Sequence, residues 1–306
     1  MNIKHLPDLH ESVISALDFF IKNTPPKLNL ENTGQPFVVG SGNAYNAGKM
    51  LFSLRPAIFA SESNFKQKLA AHLSLIKSGV IKRAIIISAS GEKDAAWEVA
   101  EAEKYGLETT IMTCNSNSAG AKLADEVVVY RKVPEPQTYN ISTYLGMLLS
   151  ASDEKAKNIK DFIKKIKLPK DFGKYKAYAF IVPDEFSELT PMLDIKKHEL
   201  FGPHLSIRSF SCGEARHAKF VMPWNEELVI SLGDNKYFGL PGSRFKIKMP
   251  KKYGAGLVMA LTYYLIGKIQ AAKTPYYKKN IAKFCIEGPK AFGKKEPFDI
   301  IVPGNY

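Results

Sequence analysis

Ile85-Ile86-Ile87-Ser88-Ala89-Ser90-Gly91-Glu92-Lys93 is the most informative segment of this 306-residue chain. Its apolar run breaks off into small hydroxyl residues and a glycine, and a helix-like segment, Asp94–Tyr105, follows. Unpaired N–H groups and the positive end of the helix dipole meet at the start of a helix, and serine hydroxyls can complete the coordination of an anion there. The segment therefore predicts a phosphate-binding turn, although an ordinary strand-to-helix turn with a serine cap fits it equally well in isolation.

Segments before and after this turn repeat the same alternation of short apolar runs and helix-length amphipathic stretches. The predicted strands are Phe37–Val39, Ala57–Ala60, Ala84–Ile87, Thr109–Thr113 and Glu126–Tyr130. The predicted helices are Asn43–Leu54, Ser63–Lys77, Asp94–Tyr105, Ala119–Ala124 and Thr138–Ser150. Strands that alternate with helices in this way are typical of a parallel sheet covered by helices on both faces.

The second half of the chain repeats this pattern in a degenerate form. The predicted strands are Ala177–Val182, Leu205–Phe210, Leu228–Leu232 and Phe245–Met249, and the predicted helices are Ser187–Glu199 and the strongly apolar Gly254–Ala271. This half lacks the glycine turn that the first half carries at Gly40-Ser41-Gly42, so one ligand site per chain is expected. The predicted fold class is α/β, with two tandem doubly wound parallel-sheet units of the flavodoxin type.

Changes in composition divide the chain into predicted segments. These are an N-terminal helical segment at 1–35, the first α/β domain at 36–152, the second at 175–275, and a C-terminal tail over the active site at 276–306. The polar, lysine-rich stretch between the two domains contains Pro169 and Gly173, which favours a helix followed by a linker. In the tail, Phe298–Val302 is expected to add a strand or to cover the site.

Two turns of the first half are expected to form one crevice. Gly40-Ser41-Gly42-Asn43 follows the first strand and Ser88-Ala89-Ser90-Gly91 follows the third, and ligands of open α/β sheets bind at the carboxyl ends of the strands. The predicted anion-binding residues are Ser41, Gly42, Asn43, Ser88, Ser90, Gly91 and Lys93. A dinucleotide-binding fingerprint is disfavoured, because it requires Gly-x-Gly-x-x-Gly and Tyr45 stands where the third glycine belongs.

Composition narrows the classes of protein to which the chain can belong. It has 43 Lys and Arg against 30 Asp and Glu, a net charge of +13, but its lysine clusters are not interleaved with aromatic residues as in nucleic-acid-binding proteins. No apolar stretch approaches the roughly 20 residues that span a bilayer, and residues 1–31 lack the features of a signal peptide. The three cysteines are widely spaced, which argues against disulfides and a zinc cluster. We expect a cytoplasmic protein without nucleic-acid or membrane partners.

Seven short motifs occur in one order along the chain, from about Pro36 to Glu287. In the first half they are Val39–Gly48, Ala60-Ser61-Glu62, Ser88–Glu92 and Glu135–Thr143. In the second half they are Ile195–Glu199, Cys212–His217 and Asn280–Lys283. Together they resemble the motifs of the sugar isomerase (SIS) family, and within it those of the isomerase half of glucosamine-6-phosphate synthase and of the fructosamine-6-phosphate deglycases.

The resemblance implies roles for several residues. For Glu199, His217 and Lys283 the alternative is a surface residue without a catalytic role, and for His217 also a helix cap. Glu199 would be the carboxylate that moves a proton between C1 and C2 of the open-chain sugar, since desolvation raises the pKa of a carboxyl and makes it a better base. His217 would open the sugar ring, often from across a dimer interface, and Lys283 would form a Schiff base or hold the sugar oxygens. Thr138, in the loop that closes the sugar site, would contact the substrate. The resemblance also implies a homodimer, for which the apolar helix Gly254–Ala271 offers surface, and no metal or other cofactor.

The chain departs from the family pattern at two positions of the phosphate site. Ala44 stands where the family usually has a hydroxyl residue, and Lys93 stands where the phosphate turn normally ends in threonine. We expect the charge of Lys93 to replace the lost hydroxyls in part. The sequence thus predicts an aldose-ketose isomerase or a deglycase/deaminase acting on a 6-phosphorylated sugar or amino sugar, with a non-catalytic phosphosugar-binding regulator as the alternative.

Overall fold

The structure is a computed structural model that describes residues 5–30, 34–92, 94–293 and 295–303. In these parts of the chain the strands are β1 (Phe37–Gly40), β2 (Ile58–Ala60), β3 (Arg83–Ile87), β4 (Glu108–Thr113), β5 (Glu126–Val129), β6 (Ala177–Val182), β7 (Ser206–Ser211), β8 (Glu227–Leu232) and β9 (Arg244–Ile247). The helices are α1 (Leu9–Lys22), α2 (Asn43–Leu51), α3 (Phe65–Ala71), α4 (Leu73–Lys77), α5 (Asp94–Lys104), α6 (Ala119–Leu123), α7 (Ile141–Ser150), α8 (Ala156–Lys164), α9 (Thr190–Phe201), α10 (Cys212–Ala215), α11 (Ala255–Ala272) and α12 (Tyr276–Glu287). The predicted α/β class with two parallel sheets is confirmed.

The first sheet contains five parallel strands in the order β2-β1-β3-β4-β5. Strands β1 and β3 are neighbours, with Gly40 opposite Ile87, so the turns that follow these strands start side by side. The strand order reverses at this point, because β2 lies on one side of β1 and β3 on the other. Strand β3 is a continuous apolar run because Ala84–Ile87 is buried. The sheet therefore brings the two predicted ligand turns to the same edge.

The second sheet contains four parallel strands in the order β7-β6-β8-β9. Every residue of β6 and of β8 is buried, which accounts for the continuous apolar run of β6, whereas β8 also contains the buried Glu227 and Ser231. Helix α9 leads from the carboxyl end of β6 back to the amino end of β7 and is capped by Gly202. The last turn of α9, which contains Glu199, consequently lies at the amino edge of this sheet.

Backbone contacts divide the chain into two compact units, each built around one sheet. The five-strand unit consists of Asn23–Lys132 and Thr143–Asp153, and the four-strand unit comprises the described parts of Met1–Lys22, Val133–Ser142 and Glu154–Tyr306. Helix α1 packs against α8 and α11 within the four-strand unit. The N-terminal helix and the loop before α7 thus fold with the second sheet, while the domain limits stated from the sequence stay a prediction.

One predicted helix begins later than expected. The helix predicted at Thr138–Ser150 starts only at Ile141, as α7. Thr138 and Asn140 have positive φ angles of 73° and 47°, which a right-handed helix does not allow. Thr138 therefore lies in a loop that precedes α7, and its backbone groups are available to other elements.

Helix α11 is the one helix, within the described residues, that is long and apolar enough to cross a membrane. However, 72% of its residues are buried, as in the core helix of a globular protein. It packs against α1, α8 and α9 of the four-strand unit. The expectation that this helix offers surplus apolar surface for a dimer is therefore wrong, because its apolar residues are used inside the unit.

The carboxylate of Glu154 caps the start of α11. Its oxygens accept hydrogen bonds from the N–H groups of Gly254, Gly256 and Leu257 at 2.8, 2.8 and 3.0 Å. The first N–H groups of a helix have no partner inside it, and a negative charge also complements the helix dipole there. We expect Glu154→Ala to lower the free energy of unfolding in urea by about 2 kcal/mol. The exposed control Glu103→Ala should change it by no more than about 0.5 kcal/mol, and equal losses in the two variants would contradict the role of this cap.

Candidate functional site

The turn after β1 requires its glycines. A Cβ on Gly40 would lie 2.9 Å from the carbonyl carbon of Ala44 and 2.9 Å from the nitrogen of Tyr45, closer than real Cβ atoms approach such atoms. Gly42 has a φ of 55° and a ψ of −119°, a conformation that glycine adopts at little cost. The chain can therefore turn tightly from the end of β1 into α2.

Asn43, the first residue of α2, carries a buried polar side chain. It is only 9% exposed, and its Oδ1 atom has no hydrogen-bond partner among the described residues. A buried polar atom without a partner costs about 1–3 kcal/mol, so such an atom indicates a missing ligand or water. The amide of asparagine both donates and accepts hydrogen bonds, which suits the hydroxyls of a sugar.

The turn after β3 is held by its own serines. The Ser88 hydroxyl accepts a hydrogen bond from the Gly91 N–H at 3.1 Å, and the Ser90 hydroxyl accepts one from the Glu92 N–H at 3.3 Å. The N–H group of Gly91, a residue that was expected to bind the anion, thus donates to a serine oxygen instead. Each hydroxyl keeps its own proton to donate to a ligand. Lys93, which was expected to add a charge here, lies outside the described residues.

Gly91 allows the turn after β3 to pack closely against the start of α6. Its φ is 66°, and a Cβ there would lie 2.1 Å from the Ser118 hydroxyl oxygen. Its carbonyl accepts a hydrogen bond from the Gly120 N–H at 2.9 Å, and a Cβ on Gly120 would also lie 2.9 Å from that carbonyl oxygen. A larger residue at position 91 would therefore displace the turn.

The five-strand unit thus brings the described members of the predicted anion site to one edge of its sheet. Ser41 and Ser88 are half-buried, Gly42 and Ser90 are exposed, and Asn43 and Gly91 are buried. The groups they offer are hydroxyls and one amide. Within the described ranges, no group of three or more His, Cys, Asp or Glu side chains is arranged to hold a metal ion.

Glu199, in the four-strand unit, is fixed by a buried lysine one turn earlier in α9. The Lys196 side chain has no exposed surface, whereas the Glu199 side chain is 22% exposed. The Lys196 ammonium donates hydrogen bonds to the Glu199 carboxylate and to the Thr138 carbonyl oxygen. It also lies 5.6 Å from the centre of the Tyr263 ring. The carboxylate is therefore oriented by a charge that water does not reach.

The environment of Glu199 makes it a better base than a surface glutamate. Burial raises the pKa of Glu199 above its ordinary value, and the Lys196 ammonium opposes this in part. A base takes a proton most effectively when its pKa lies near the working pH. The site thus combines a basic carboxylate with a fixed orientation.

The loop before α7 presents Thr138 to Lys196. Glu135 is buried in it, and its carboxylate accepts hydrogen bonds from the Ile141 N–H at 2.9 Å, the Ser142 N–H at 3.0 Å and the Ser142 hydroxyl at 2.6 Å. Burial raises the pKa of Glu135. A positive φ at a β-branched residue such as Thr138 is strained and persists only where its surroundings enforce it, which is common at functional sites.

Glu199 and Thr138 both line a cavity of about 550 Å³ in the four-strand unit. The cavity lies where the end of α9 meets α12. Tyr277 stands in its wall, and its hydroxyl donates to the Gln137 carbonyl at 2.6 Å. Burial raises the pKa of Tyr277, so its phenol stays protonated at neutral pH.

Lys283 lies beside this cavity without lining it. Its exposed side chain lines a neighbouring hollow that shares Asn280 and Phe284 with the cavity. Helix α12 carries all three residues and packs against α9. The four-strand unit thus places Glu199, Thr138 and Lys283 in one region.

His217 lies at the opposite edge of the four-strand sheet. It follows α10, which begins at the carboxyl end of β7 with a capping box formed by Ser211 and Glu214. Glu199 lies near the amino end of β7, so this six-residue strand, about 17 Å at 3.3 Å per residue, lies between the two side chains. The His217 side chain is exposed. A single copy of the chain therefore does not bring His217 to Glu199.

Lys196 and Glu135 belong to the candidate site although no role was predicted for them. Both lie inside the sequence motifs, Ile195–Glu199 and Glu135–Thr143. The spacing of three residues from Lys196 to Glu199 was the available signal, because residues three apart on a helix are neighbours. In a chain with 43 Lys and Arg, that signal does not distinguish a buried ion pair from a surface one.

Comparison with known proteins finds similarity to solved structures, whereas no family model and no curated protein matches the sequence. The C-terminal domain of glucosamine-fructose-6-phosphate aminotransferase from Francisella tularensis is 13% identical, with a TM-score of 0.60, and the match covers 86% of this chain and 93% of that one. Glucosamine-6-phosphate deaminase from Thermotoga maritima is 15% identical, with a TM-score of 0.60 and coverage of 88% and 96%. Tagatose-6-phosphate ketose/aldose isomerase from Escherichia coli is 12% identical, with a TM-score of 0.55 and coverage of 87% and 89%.

These matches extend over most of both chains and therefore include both sheets. Identities of 12–15% establish a common fold and leave the reaction open. The chain has the fold of the sugar isomerase (SIS) proteins, as its sequence motifs predicted.

Proposed function

We propose that this chain is a phosphosugar enzyme, either an aldose-ketose isomerase or a deglycase/deaminase, in which Glu199 moves a proton between C1 and C2 of a 6-phosphorylated sugar or amino sugar. The observation that carries the proposal is the carboxylate of Glu199, held by the buried Lys196 and opening into a cavity. A raised carboxylate pKa next to a specific charge in a cavity is typical of a catalytic base. A protein that only binds a sugar has no need of this arrangement.

The proposed chemistry needs one carboxylate with a fixed orientation. Proton abstraction from the carbon next to the sugar carbonyl, with a proton taken up by the carbonyl oxygen, gives an enediol, or an enolamine from an amino sugar. Return of the proton to the adjacent carbon, with loss of a proton from the oxygen or nitrogen on the other carbon, completes the shift. The Oε2 atom of Glu199 is bonded to Lys196, which leaves Oε1 to take and return the proton. Such positioning of a base is worth a factor of about a hundred to ten thousand in rate.

The names of the structural neighbours support this proposal. One is a glucosamine-6-phosphate deaminase and another a tagatose-6-phosphate ketose/aldose isomerase, and both are named for reactions of 6-phosphorylated sugars. We assign the phosphate to the hydroxyls of Ser41, Ser88 and Ser90, the side-chain N–H groups of Asn43, the backbone of Gly42 and the charge of Lys93, while Gly91 shapes the turn that carries Ser88 and Ser90. Thr138 and Lys283 are assigned to the sugar end of the substrate. We also propose a cytoplasmic location, as expected from the sequence.

Thermal stability in the presence of sugars tests the proposed ligand class. A ligand that binds only the folded state raises its melting temperature. We expect hexose 6-phosphates or amino sugar 6-phosphates to raise it and the same sugars without phosphate to leave it unchanged. Stabilisation by both forms alike would contradict the phosphate assignment.

Ser90 provides the matching variant for the phosphate site. A hydrogen bond to a charged group is worth about 1.5–3 kcal/mol, so Ser90→Ala should weaken phosphosugar binding roughly tenfold or more in calorimetry. The control is Ser78→Ala, since Ser78 is an exposed serine that precedes β3 and bonds the Leu75 carbonyl. Equal affinities of the two variants would remove Ser90 from the site.

We further propose a homodimer in which His217 serves the site of the partner subunit. In one copy the length of β7 separates His217 from Glu199. The nearby Val221 and Met222 are 72% and 89% exposed, as expected of residues that an interface covers. Mixing His217→Ala chains with Glu199→Gln chains should restore part of the activity that each variant lacks. A mixture as inactive as its components, or an active monomer, would overturn this arrangement.

A further inference from the structure

Tyr277 of α12 contacts the loop that carries Thr138 at two points. Its hydroxyl donates a hydrogen bond to the Gln137 carbonyl oxygen at 2.6 Å. Its ring packs against the Tyr139 ring with a centroid distance of 5.1 Å. Tyr277 is 5% exposed, and burial raises the pKa of its phenol, so the hydroxyl keeps the proton for this bond. One tyrosine thus holds the residues on both sides of Thr138.

The hydrogen bond from Tyr277 limits the backbone of Thr138. The Gln137 carbonyl and the Thr138 nitrogen belong to one planar peptide group, so a bond at that oxygen restrains rotation of the whole plane. The next peptide plane begins with the Thr138 carbonyl, which accepts a hydrogen bond from the Lys196 ammonium. Between these planes Thr138 has its φ of 73°, a strained value for a β-branched residue. Without the Tyr277 hydroxyl, rotation of the first plane would relieve this strain and move the Thr138 carbonyl.

The Thr138 carbonyl in turn supports the buried Lys196. An ammonium without exposed surface depends on protein acceptors for its protons, because water does not reach it. Lys196 donates to the Thr138 carbonyl and to the Glu199 carboxylate. Loss of the carbonyl would let the ammonium shift relative to Glu199. The orientation of that carboxylate therefore depends on the Tyr277 hydroxyl, which is not bonded to it.

We propose that Tyr277 is a positioning residue for the base, acting through the backbone of Thr138 and the ammonium of Lys196 on the Glu199 carboxylate. The inference rests on the proposed function, in which Glu199 moves the proton, and it adds α12 to the elements that orient this base. Displacement of a reacting group by about 1 Å can cost a factor of about a hundred in rate. A loss of this kind falls on kcat and spares ground-state binding.

Replacing Tyr277 by phenylalanine removes only the hydroxyl. We expect Tyr277→Phe to lower kcat roughly tenfold while KM changes by no more than about a few fold. The matched control is Tyr178→Phe, because the buried Tyr178 of β6 also donates to a backbone carbonyl, that of Phe172 at 2.7 Å, and lies outside the cavity. Both variants lose one buried hydrogen bond, so their stabilities in urea should fall alike. In Tyr178→Phe, kcat should stay within about twofold of the wild type.

The titration of Glu199 gives a second readout that does not require turnover. The carboxyl carbon is followed by nuclear magnetic resonance in protein with carbon-13-labelled glutamate, and its signal is identified by its absence in Glu199→Gln. The Lys196 ammonium opposes the rise that burial causes in the pKa of Glu199. Displacement of that ammonium should therefore raise this pKa further in Tyr277→Phe and leave it unchanged in Tyr178→Phe.

Neither substitution changes a charge near Glu199. Burial raises the pKa of both phenols, so both are neutral before replacement. The other titratable groups, which both variants retain, are Lys196, Glu135 beside it, and the cavity residues His198, His204 and Tyr276. A shift in the titration of Glu199 thus reports the position of the Lys196 ammonium.

The Lys196→Met background tests the route. If Tyr277 acts through Lys196, Tyr277→Phe should raise the pKa of Glu199 only where Lys196 is present. The same rise in both backgrounds, or equal kcat and equal pKa of Glu199 in Tyr277→Phe and Tyr178→Phe, would overturn this inference and leave the proposed function standing. A wild-type protein that converts no phosphosugar would overturn the proposed function instead, and the titration would still decide whether Tyr277 positions Glu199.

Discussion

Replacing Glu199 by glutamine is expected to lower turnover of the phosphosugar at least about a hundredfold, while its dissociation constant changes by no more than a few fold. Glutamine keeps the size of the side chain and still accepts a hydrogen bond from Lys196, but it cannot take a proton. The loss therefore falls on the proton transfer and spares ground-state binding. Steady-state kinetics and calorimetry on the same preparations measure the two quantities.

The control for this variant lies on the same helix. Asp194 is an exposed carboxylate of α9 that pairs with His198 at 3.6 Å, so Asp194→Asn removes a charge without touching Lys196. We expect its turnover to stay within a few fold of the wild type. If Glu199→Gln kept full activity and Lys283→Ala lost it, the reaction would proceed through an imine on Lys283. Glu199 would then not be the base.

Replacing Lys196 by methionine is expected to shift the pH profile of kcat/KM and to destabilise the fold. The base must be ionised to work, so kcat/KM falls as the pH drops through the raised pKa of Glu199. Without the opposing ammonium this pKa rises further, and the acid limb of the profile moves to higher pH. Because the carboxylate loses its buried partner, the free energy of unfolding should fall by roughly 3 kcal/mol.

A double variant separates the electrostatic effect of Lys196 from its packing. In Lys196→Met with Glu199→Gln, both charges are gone, so no unpaired carboxylate remains. We expect the double variant to be more stable than Lys196→Met alone, as measured by urea unfolding. An acid limb that stays in place in Lys196→Met, or equal stability of the single and double variants, would show that Lys196 does not act through the charge of Glu199.

The parallel sheets were predictable because strands that are buried on both faces have continuous apolar runs, which are visible in the sequence. The run before Ser88 is apolar without alternation, and the same holds for Ala177–Val182, which was predicted with its observed limits. Gly42 and Gly91 were also informative, since both take positive φ angles at the turns where they were expected to matter. The location of these turns at one edge follows from the strand order.

The candidate site around Glu199 could be proposed from the sequence only through the resemblance to a family. The rule that ligands bind at the carboxyl ends of parallel strands does not find it, because Glu199 lies at the amino edge of its sheet. The strained backbone of Thr138 was invisible in a segment with helical periodicity. Burial of Lys196 depends on Tyr263 and on the loop before α7, which are distant in sequence. Such long-range packing has no local signature.

Exchange of substrate hydrogens with solvent deuterium tests the central claim most directly. The protein is incubated in heavy water with each 6-phosphorylated sugar or amino sugar that raises its melting temperature, and the C1 and C2 hydrogens are followed by nuclear magnetic resonance. We predict that the wild-type protein replaces one of these hydrogens by deuterium and that Glu199→Gln, which still binds the sugar, does so at least about a hundredfold more slowly. A wild-type protein that binds the phosphosugar but neither exchanges these hydrogens nor converts the sugar to a product would contradict the account and identify a sensor without catalysis.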